Sequence, residues 1–536
     1  MFFFCINIFN HMNIKTHIFI IILIISVIFN KSYSQNITDV IENSLGAVVT
    51  VVVYEKSYAK KSLGYRGEKG EEEAYKKVLD LSGALASGSG FAIQRNGKIY
   101  IVTNAHVVET ASEKPGSIYI FSISRKKYEV KVRGGDSFYD IAILEFVDKP
   151  GSEITTLEFK KEPCRIGETV FAIGNPLGEY PYSVTNGIIS AKNRVRSGRT
   201  GKFGFLQTTA TVIWGNSGGP LIDVNGRVAG INSQLAFATA PNGTQIWQSQ
   251  INFALENEIC IRLVNDILNN NGRVLRSFFG LEITQKFQYQ SNGTDNSYLT
   301  PVDDYPVISE IIPNSPAANV AEQYKGYYII AINNNEVNNI EEALGELEKT
   351  KPNQGVKFTV KKLNEQKDFY ITGIELKNFQ LEQIARFVVA KDPKISVDVS
   401  DQQVVISKIS DKFYKYQDKK YVPSENFRKE LPRNSQNIQE GSDYYKKYYE
   451  KDKYGNYTYY DSKFYLLAAG IYSENDKDIW RVEDYSDFGA ALKLSGLAGV
   501  IDLYLHPDGG KTDDVELYRI YLGDKEDEEI QSTLWY

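Results

Sequence analysis

The apolar positions of this chain fall into distinct regimes. Residues Ile18–Phe29 form a nearly unbroken apolar run. From Val40 to Leu255, short β-rich runs alternate with Gly, Asn and Asp. These runs are Val48–Val53, Gly90–Ile93, Ile99–Thr103, Ile118–Ile123, Ile141–Phe146, Thr169–Ile173, Gly187–Ser190, Gly219–Asp223 and Val228–Ile231. Many short strands separated by turn residues predict an all-β barrel or sandwich. Lys56–Ala86 interrupts the pattern with an excess of Lys, Glu and Gly, and reads as a long solvated loop. Leu255–Asn269 switches to helical spacing and ends at Asn-Asn-Asn-Gly, which predicts a closing helix and then a linker. Short strands resume over Phe278–Leu376, with a helix at Ile340–Leu347. From Lys377 onward Tyr is interleaved with Lys, Asp and Asn. Lys412–Ser462 is the most polar stretch, and Phe464–Leu505 is apolar enough to fold.

The first apolar run is shorter than the roughly 20 residues a helix needs to cross a bilayer. Lys15 precedes it, and Ser32-Tyr33-Ser34 follows with small residues where a signal peptidase reads. Residues 1–34 therefore read as a secretory signal peptide cleaved before Gln35, with an uncleaved signal anchor as the alternative. Met12-Asn13-Ile14-Lys15 makes a better signal start than Met1. Cleavage removes Lys15 and Lys31, both Met residues, and His11 and His17. The mature chain keeps only His106 and His506, and Cys164 and Cys260. The two cysteines either pair in an oxidising compartment or stay as buried thiols. His506, in Tyr504-Leu505-His506-Pro507-Asp508, reads as a surface turn residue.

Composition narrows the function classes. A chain of 536 residues is long enough for about three domains. With 61 Lys and Arg against 67 Asp and Glu, the net charge is −6. There is no basic excess to bind nucleic acid. Three Cys and four His exclude a disulfide scaffold and argue against a multi-Cys or His-rich metal site.

Three segments carry chemistry: Thr103-Asn104-Ala105-His106-Val107-Val108, Asp140-Ile141-Ala142-Ile143-Leu144, and Gly215-Asn216-Ser217-Gly218-Gly219-Pro220-Leu221. Together they suit nucleophilic acyl transfer. A Ser hydroxyl needs a base to take its proton, and His106 is a candidate of suitable pKa class. A carboxylate such as Asp140 at the other ring nitrogen fixes the tautomer. The glycines allow backbone N–H groups to converge on a developing oxyanion, and Gly215 and Ser217 are placed to supply two of them.

In this order the segments resemble the trypsin-like (chymotrypsin-fold) serine endopeptidases, and in particular the HtrA/Deg family. The likeness extends to Ser87-Gly88-Ser89-Gly90-Phe91, Ala172-Ile173-Gly174-Asn175-Pro176-Leu177-Gly178, Val184-Thr185-Asn186-Gly187-Ile188-Ile189-Ser190 and Gly230-Ile231-Asn232-Ser233. The resemblance implies a mainly β chain: a trypsin-like double β-barrel over residues 35–270, then a PDZ-like domain and an unassigned C-terminal region. It implies an exported, most simply periplasmic, endopeptidase acting on unfolded or damaged polypeptides, with secretion or a signal anchor as alternatives. His106, Asp140 and Ser217 would be the triad. A homo-trimer, with no metal and no organic cofactor, is also implied. The alternative is a catalytically silent chaperone or peptide-binding scaffold. Thr211, Ile213, Trp214, Ile231, Asn232 and Ser233 would border the substrate pocket. Here the chain departs from the family, with Thr209, Ile213 and Trp214 where Asp, Asn and Pro are usual. Six residues before Ser217 stands Thr211, not an acid, which predicts small or medium apolar P1 residues rather than Lys or Arg.

Gly272–Leu281 is similar to the family's junction into its PDZ domain, placed at 277–376. Pro306–Ala318 resembles the middle of that domain. Phe278, Phe279, Gly280 and Leu281 would form the loop that captures the carboxylate of a C-terminal peptide, which then adds as a strand. The match weakens at Gly326-Tyr327 and at the polar insert Gln290–Asp304. Residues 377–536 resemble no family. Their Tyr/Lys tract Tyr444–Tyr460 reads as a solvated edge or linker, with stacking on glycans as the alternative.

Overall fold

Val48–Tyr54 is buried at every position because its alternate faces meet different cores. Val49, Val51 and Val53 point into one barrel, while Val48 packs on the layer beside it. A strand of branched side chains that is covered on both sides is what such an unbroken apolar run dictates. The computed structural model describes residues 36–54, 84–108, 117–136, 138–175, 182–194, 204–213, 215–239, 245–291, 297–391, 395–398, 403–409, 413–417, 420–424, 449–451, 457–459, 464–472, 477–506, 515–522 and 529–536. The expected signal peptide, Trp214, most of Lys56–Ala86 and most of the Tyr/Lys tract lie outside the described residues.

After helix α1 (Ile37–Leu45) the first six strands are β1 (Val48–Tyr54), β2 (Ala84–Arg95), β3 (Lys98–Thr103), β4 (Ile118–Phe121), β5 (Lys127–Asp136) and β6 (Ile141–Phe146). They close a barrel in the order β1-β2-β3-β6-β5-β4. The next six, β7 (Thr169–Gly174), β8 (Ser183–Arg194), β9 (Phe205–Thr208), β10 (Pro220–Asp223), β11 (Val228–Thr239) and β12 (Gln245–Glu256), close a second. This is the trypsin-like double barrel. The short helix α2 (Ala105–Val108) sits between β3 and β4. A third core joins the barrels: Phe91, Val102 and Ile143 of one meet Phe171, Ile222 and Ile231 of the other. Helix α3 (Asn257–Asn269) seals that seam with Ile259, Cys260, Leu263, Val264 and Ile267, one stripe of its surface.

Beyond the linker come β13 (Ser277–Phe278), β14 (Leu281–Ser291), β15 (Ser297–Pro301), β16 (Val307–Ile311), β17 (Tyr328–Ile332), β18 (Asn335–Glu336), helix α4 (Ile340–Glu348), β19 (Gly355–Lys362), β20 (Glu365–Thr372) and β21 (Ile374–Glu375). The main sheet runs β15-β14-β16-β17-β19-β20 around one apolar core, a PDZ-like unit. The tail opens with helix α5 (Asn378–Lys391), then β22 (Ile395–Asp398), β23 (Val405–Ile409), β24 (Phe413–Gln417), β25 (Lys420–Ser424), β26 (Tyr449–Lys451), β27 (Tyr457–Tyr459), β28 (Phe464–Tyr472) and β29 (Lys477–Arg481). Helix α6 (Tyr485–Ser495), β30 (Val500–His506), β31 (Glu516–Tyr521) and β32 (Glu529–Trp535) complete it. The tail has its own sheet and core, with α5 and α6 packed on each other. Its last strand leaves that sheet and pairs with β14 of the PDZ-like sheet.

Two expectations are corrected. His506 is fully buried at the end of β30, paired with Tyr465, so it is a core residue of the tail and not a surface turn. The alternation of Val500–His506 continues one residue further than its polar flank suggests. Ala84–Ala86, read as loop, belong to β2. Cys164 and Cys260 are separate buried thiols. Burial raises Cys164 to about 12 and Cys260 well above its usual range, so neither is a thiolate at neutral pH.

Candidate active site

His106 is aimed by its neighbours. Val107 and Val108 plug the interior of the first barrel, which turns the preceding residue toward the cleft. The His106 side chain is about half exposed, at 46%, while the Asp140 side chain is 7% exposed. Asp140 sits at the start of β6 in the left-handed region, with φ 58°, a conformation that Asp tolerates better than most residues. Its carboxylate grips His106 twice. Oδ1 accepts from the His106 main-chain N–H at 2.9 Å, and Oδ2 meets Nδ1 at 2.8 Å. A carboxylate at Nδ1 holds the proton there and leaves Nε2 as the acceptor. Asn104, which the sequence reading did not single out, donates from Nδ2 to the Asp140 main-chain oxygen at 2.7 Å. It is 1% exposed.

Ser217 lies in the turn before β10. Gly218 follows with φ 85°, and a Cβ there would stand 2.3 Å from the Ser89 main-chain oxygen, so only glycine fits. The Gly218 N–H donates to Asn232 O at 2.9 Å, and Gly219 N–H to Asn216 O at 3.0 Å. Ser217 Oγ donates to the Ser233 main-chain oxygen over a long 3.5 Å, and among the described residues no hydrogen bond joins it to His106. Among the described residues the N–H groups of Gly215 and Ser217 donate to no main-chain carbonyl.

Ser89 ties this turn to the first barrel. Its N–H donates to Ser217 O at 2.9 Å, and its Oγ donates to Gly215 O at 2.6 Å and accepts from Asn175 N–H at 2.8 Å. Its main-chain oxygen accepts from Thr103 Oγ1 at 2.7 Å. The sequence showed the Ser-Gly-Ser-Gly strand but not this junction, which joins residues 126 positions apart.

The expected pocket border divides. Thr211 Oγ1 reaches Ser249 O at 3.5 Å, and the Thr211 main-chain oxygen accepts from Thr185 Oγ1 at 2.7 Å. Ile213 accepts a turn bond from Asn216 N–H. Ile231 and Asn232 are fully buried. Asn232 turns its amide inward to Pro220 O at 3.2 Å and Ile173 O at 3.4 Å. Ser233 contributes its carbonyl to Ser217. In the PDZ-like unit, Phe279 and Leu281 enter the sheet core, and Phe278 enters the core of the tail. The N–H groups of Gly280 and Leu281 both donate to the main-chain oxygen of Tyr536, each at 2.7 Å.

A buried ionic cluster joins the units. Arg276, in the linker, pairs with Asp136 of β5 at 2.7 Å and with Glu348 of α4 at 3.4 Å, and Arg262 of α3 reaches Glu348 at 3.3 Å. Burial alone would raise the Asp136 carboxyl, but the charge and hydrogen bonds of Arg276 outweigh it and hold the carboxyl below its ordinary value. Asp136 Oδ1 also accepts from Tyr139 N–H at 2.8 Å, next to Asp140.

The double barrel and this cleft define a trypsin-like fold, and residues 88–231 match the model of the trypsin-like peptidase domain. The chain is 31% identical over 290 residues to the serine endoprotease DegS of Salmonella typhimurium, covering 53% of this chain and 76% of that one. It is 30% identical over 298 residues to the serine protease Do-like HtrA of Bacillus subtilis, covering 54% and 62%. A solved HtrA-type protease, AlgW with a decapeptide, superposes with a TM-score of 0.42 at 20% identity, over 64% of this chain and 99% of that one. The chain belongs to the HtrA/Deg family of serine endopeptidases. Its substrates are polypeptides.

Proposed function

We propose that His106, Asp140 and Ser217 are the catalytic triad of an exported protease that degrades unfolded or damaged proteins. The observation that carries this is the double grip of Asp140 on the main chain and Nδ1 of His106, at 2.9 and 2.8 Å. His106 Nε2 takes the Ser217 proton as Oγ attacks the scissile carbonyl. The Gly215 and Ser217 N–H groups receive the oxyanion. His106 then protonates the leaving amine, and water hydrolyses the acyl-enzyme by the same route. The Ser217–His106 contact closes when substrate fills the cleft, as in many unliganded enzymes.

In this reading residues 1–34 direct export, 35–270 form the protease, 277–376 the PDZ-like domain, and 377–536 a further unit of the same chain. Relatives named as periplasmic endoproteases support a periplasmic location. The family likeness supports a homo-oligomer, a trimer in the simplest case. Thr211 beside the cleft supports apolar P1 residues. The test is covalent labelling of the full chain with a fluorophosphonate. One adduct on the peptide that contains Ser217, lost in His106→Ala, is the expected result. An unlabelled Ser217 in protein that cleaves casein would overturn the assignment.

A further inference from the structure

β32 (Glu529–Trp535) runs antiparallel to β14 in continuous register, from Glu282↔Trp535 to Gln288↔Glu529. It takes the edge of β14 opposite β16. The next residue, Tyr536, places its main-chain oxygen on the N–H groups of Gly280 and Leu281, both at 2.7 Å, and donates its own N–H to Leu281 O at 2.9 Å. Gly280 holds φ 87° there, and a Cβ would strike the Ser315 side chain at 2.0 Å. Two convergent N–H groups at the end of an open strand edge are what a peptide strand needs.

The side chains follow the same pattern. Ile530, Leu534 and Tyr536 alternate into the PDZ-like core, each at most 6% exposed, among Leu281, Ile283, Ile340 and Leu344. The Tyr536 ring stacks on Phe279 at 6.5 Å, and Lys493 of α6 lies 3.5 Å from its centroid on the tail side. Its hydroxyl donates to the Glu348 carboxylate. Trp535 faces the other way, into the tail core, and its Nε1 donates to Glu282 at 3.0 Å.

We infer that the peptide groove of the PDZ-like unit carries a resident ligand, the chain's own segment Glu529–Tyr536, which an external peptide of the same type must displace. This rests on reading Phe278–Leu281 as a peptide-capturing loop. The fitting ligand is an extended peptide with an aromatic residue last, an aliphatic residue two positions before it, and a second aliphatic residue four positions earlier still. The resident segment is tethered, so it acts at an effective concentration of about millimolar and excludes a free peptide of equal intrinsic affinity. Its hydroxyl contact on Glu348 places it in the ionic cluster that reaches Asp136. A displacing peptide therefore changes a partner of that cluster.

The test uses the full chain carrying Ser217→Ala and a fluorescein-labelled peptide Glu-Ile-Gln-Ser-Thr-Leu-Trp-Tyr, read by anisotropy. Tyr536→Ala removes the stacking and the Glu348 contact, and is expected to tighten peptide binding by about tenfold or more. A peptide with Ala in place of its last Tyr is expected to lose that gain. A second form carries a thrombin site between residues 523 and 528 with no core substitution. Once cut, it is expected to bind the peptide and release Glu529–Tyr536. Equal binding by the uncut, cut and Tyr536→Ala forms would overturn resident occupancy while leaving the groove a peptide site. No binding by any form would overturn the peptide-groove reading and the inference with it.

Discussion

Asp140 holds His106 through two carboxylate contacts that a single atom change disturbs. In Asp140→Asn the shape survives, but an amide nitrogen at either position faces a donor, and the imidazole tautomer is no longer held. kcat is expected to fall by about three to four orders of magnitude with KM little changed, measured on a chromogenic peptide. Ser89 acts one step further out. In Ser89→Ala the Gly215 oxygen and the Asn175 N–H both lose their partner, and the turn that carries Gly215 and Ser217 is free to shift. A fall of about tenfold to a hundredfold in kcat is expected, again with KM nearly constant. An unchanged kcat would make Ser89 a packing residue only. The proposed triad residues were legible because each sits in a short segment whose chemistry can be read locally. Ser89 was not, since its partners lie across the barrel seam, and neither was Asn104, whose partner is a main-chain oxygen 36 positions away.

At the scale of elements, seven of the nine strand runs of the protease region fall within observed strands, Ile118–Ile123 and Gly219–Asp223 overrun β4 and β10 by two residues and one, and Leu255–Asn269 matches α3 to within two residues. Alternation of apolar residues is a direct signal for strands whose two faces both meet a core. β5, β9 and β12 escaped, β9 because it is only four residues long and β5 and β12 because many of their positions are charged or polar, as in Lys127–Asp136. His506 misled for the converse reason: a Pro-Asp pair follows it, yet its own position completes a buried strand. Helix α3 begins after Glu256, whose side chain is buried without a capping bond. Burial raises its carboxyl to about 7 from 4.5, against the opposing charge of Lys349. The folded state thus binds a proton that the unfolded chain has released between those values. Its stabilising contribution is complete below the unfolded value and is lost as pH rises through about 7. Glu256→Gln is expected to flatten this dependence and to stabilise the protein at pH 8 by on the order of 2 kcal/mol, seen as a higher melting temperature there and none at pH 4.5. A wild-type profile that rises across this window would contradict it.

For the whole molecule, the units are locked by a buried charge cluster and by a strand shared between tail and PDZ-like sheet. Neither was legible. Arg276 and Asp136 are 140 positions apart, and Trp535 and Glu282 are 253 apart, so no local periodicity connects them. Removing one partner of a buried pair strands the other. Arg276→Leu leaves Asp136 and Glu348 with one cation fewer and is expected to cost about 3–5 kcal/mol, lowering the melting temperature. Lys367→Ala, at the exposed pair with Glu365, is expected to leave the melting temperature essentially unchanged. Comparable shifts in the two variants would mean that the cluster does not hold the units together.

The most direct measurement is a casein digest by the chain from Gln35 onward, beside Ser217→Ala, read by mass spectrometry of the fragments. Fragments from the wild type alone are expected, with new C-termini mostly at small or medium apolar residues. Identical fragments from both proteins would contradict Ser217 as the nucleophile, and a majority of Lys or Arg ends would contradict the pocket reading.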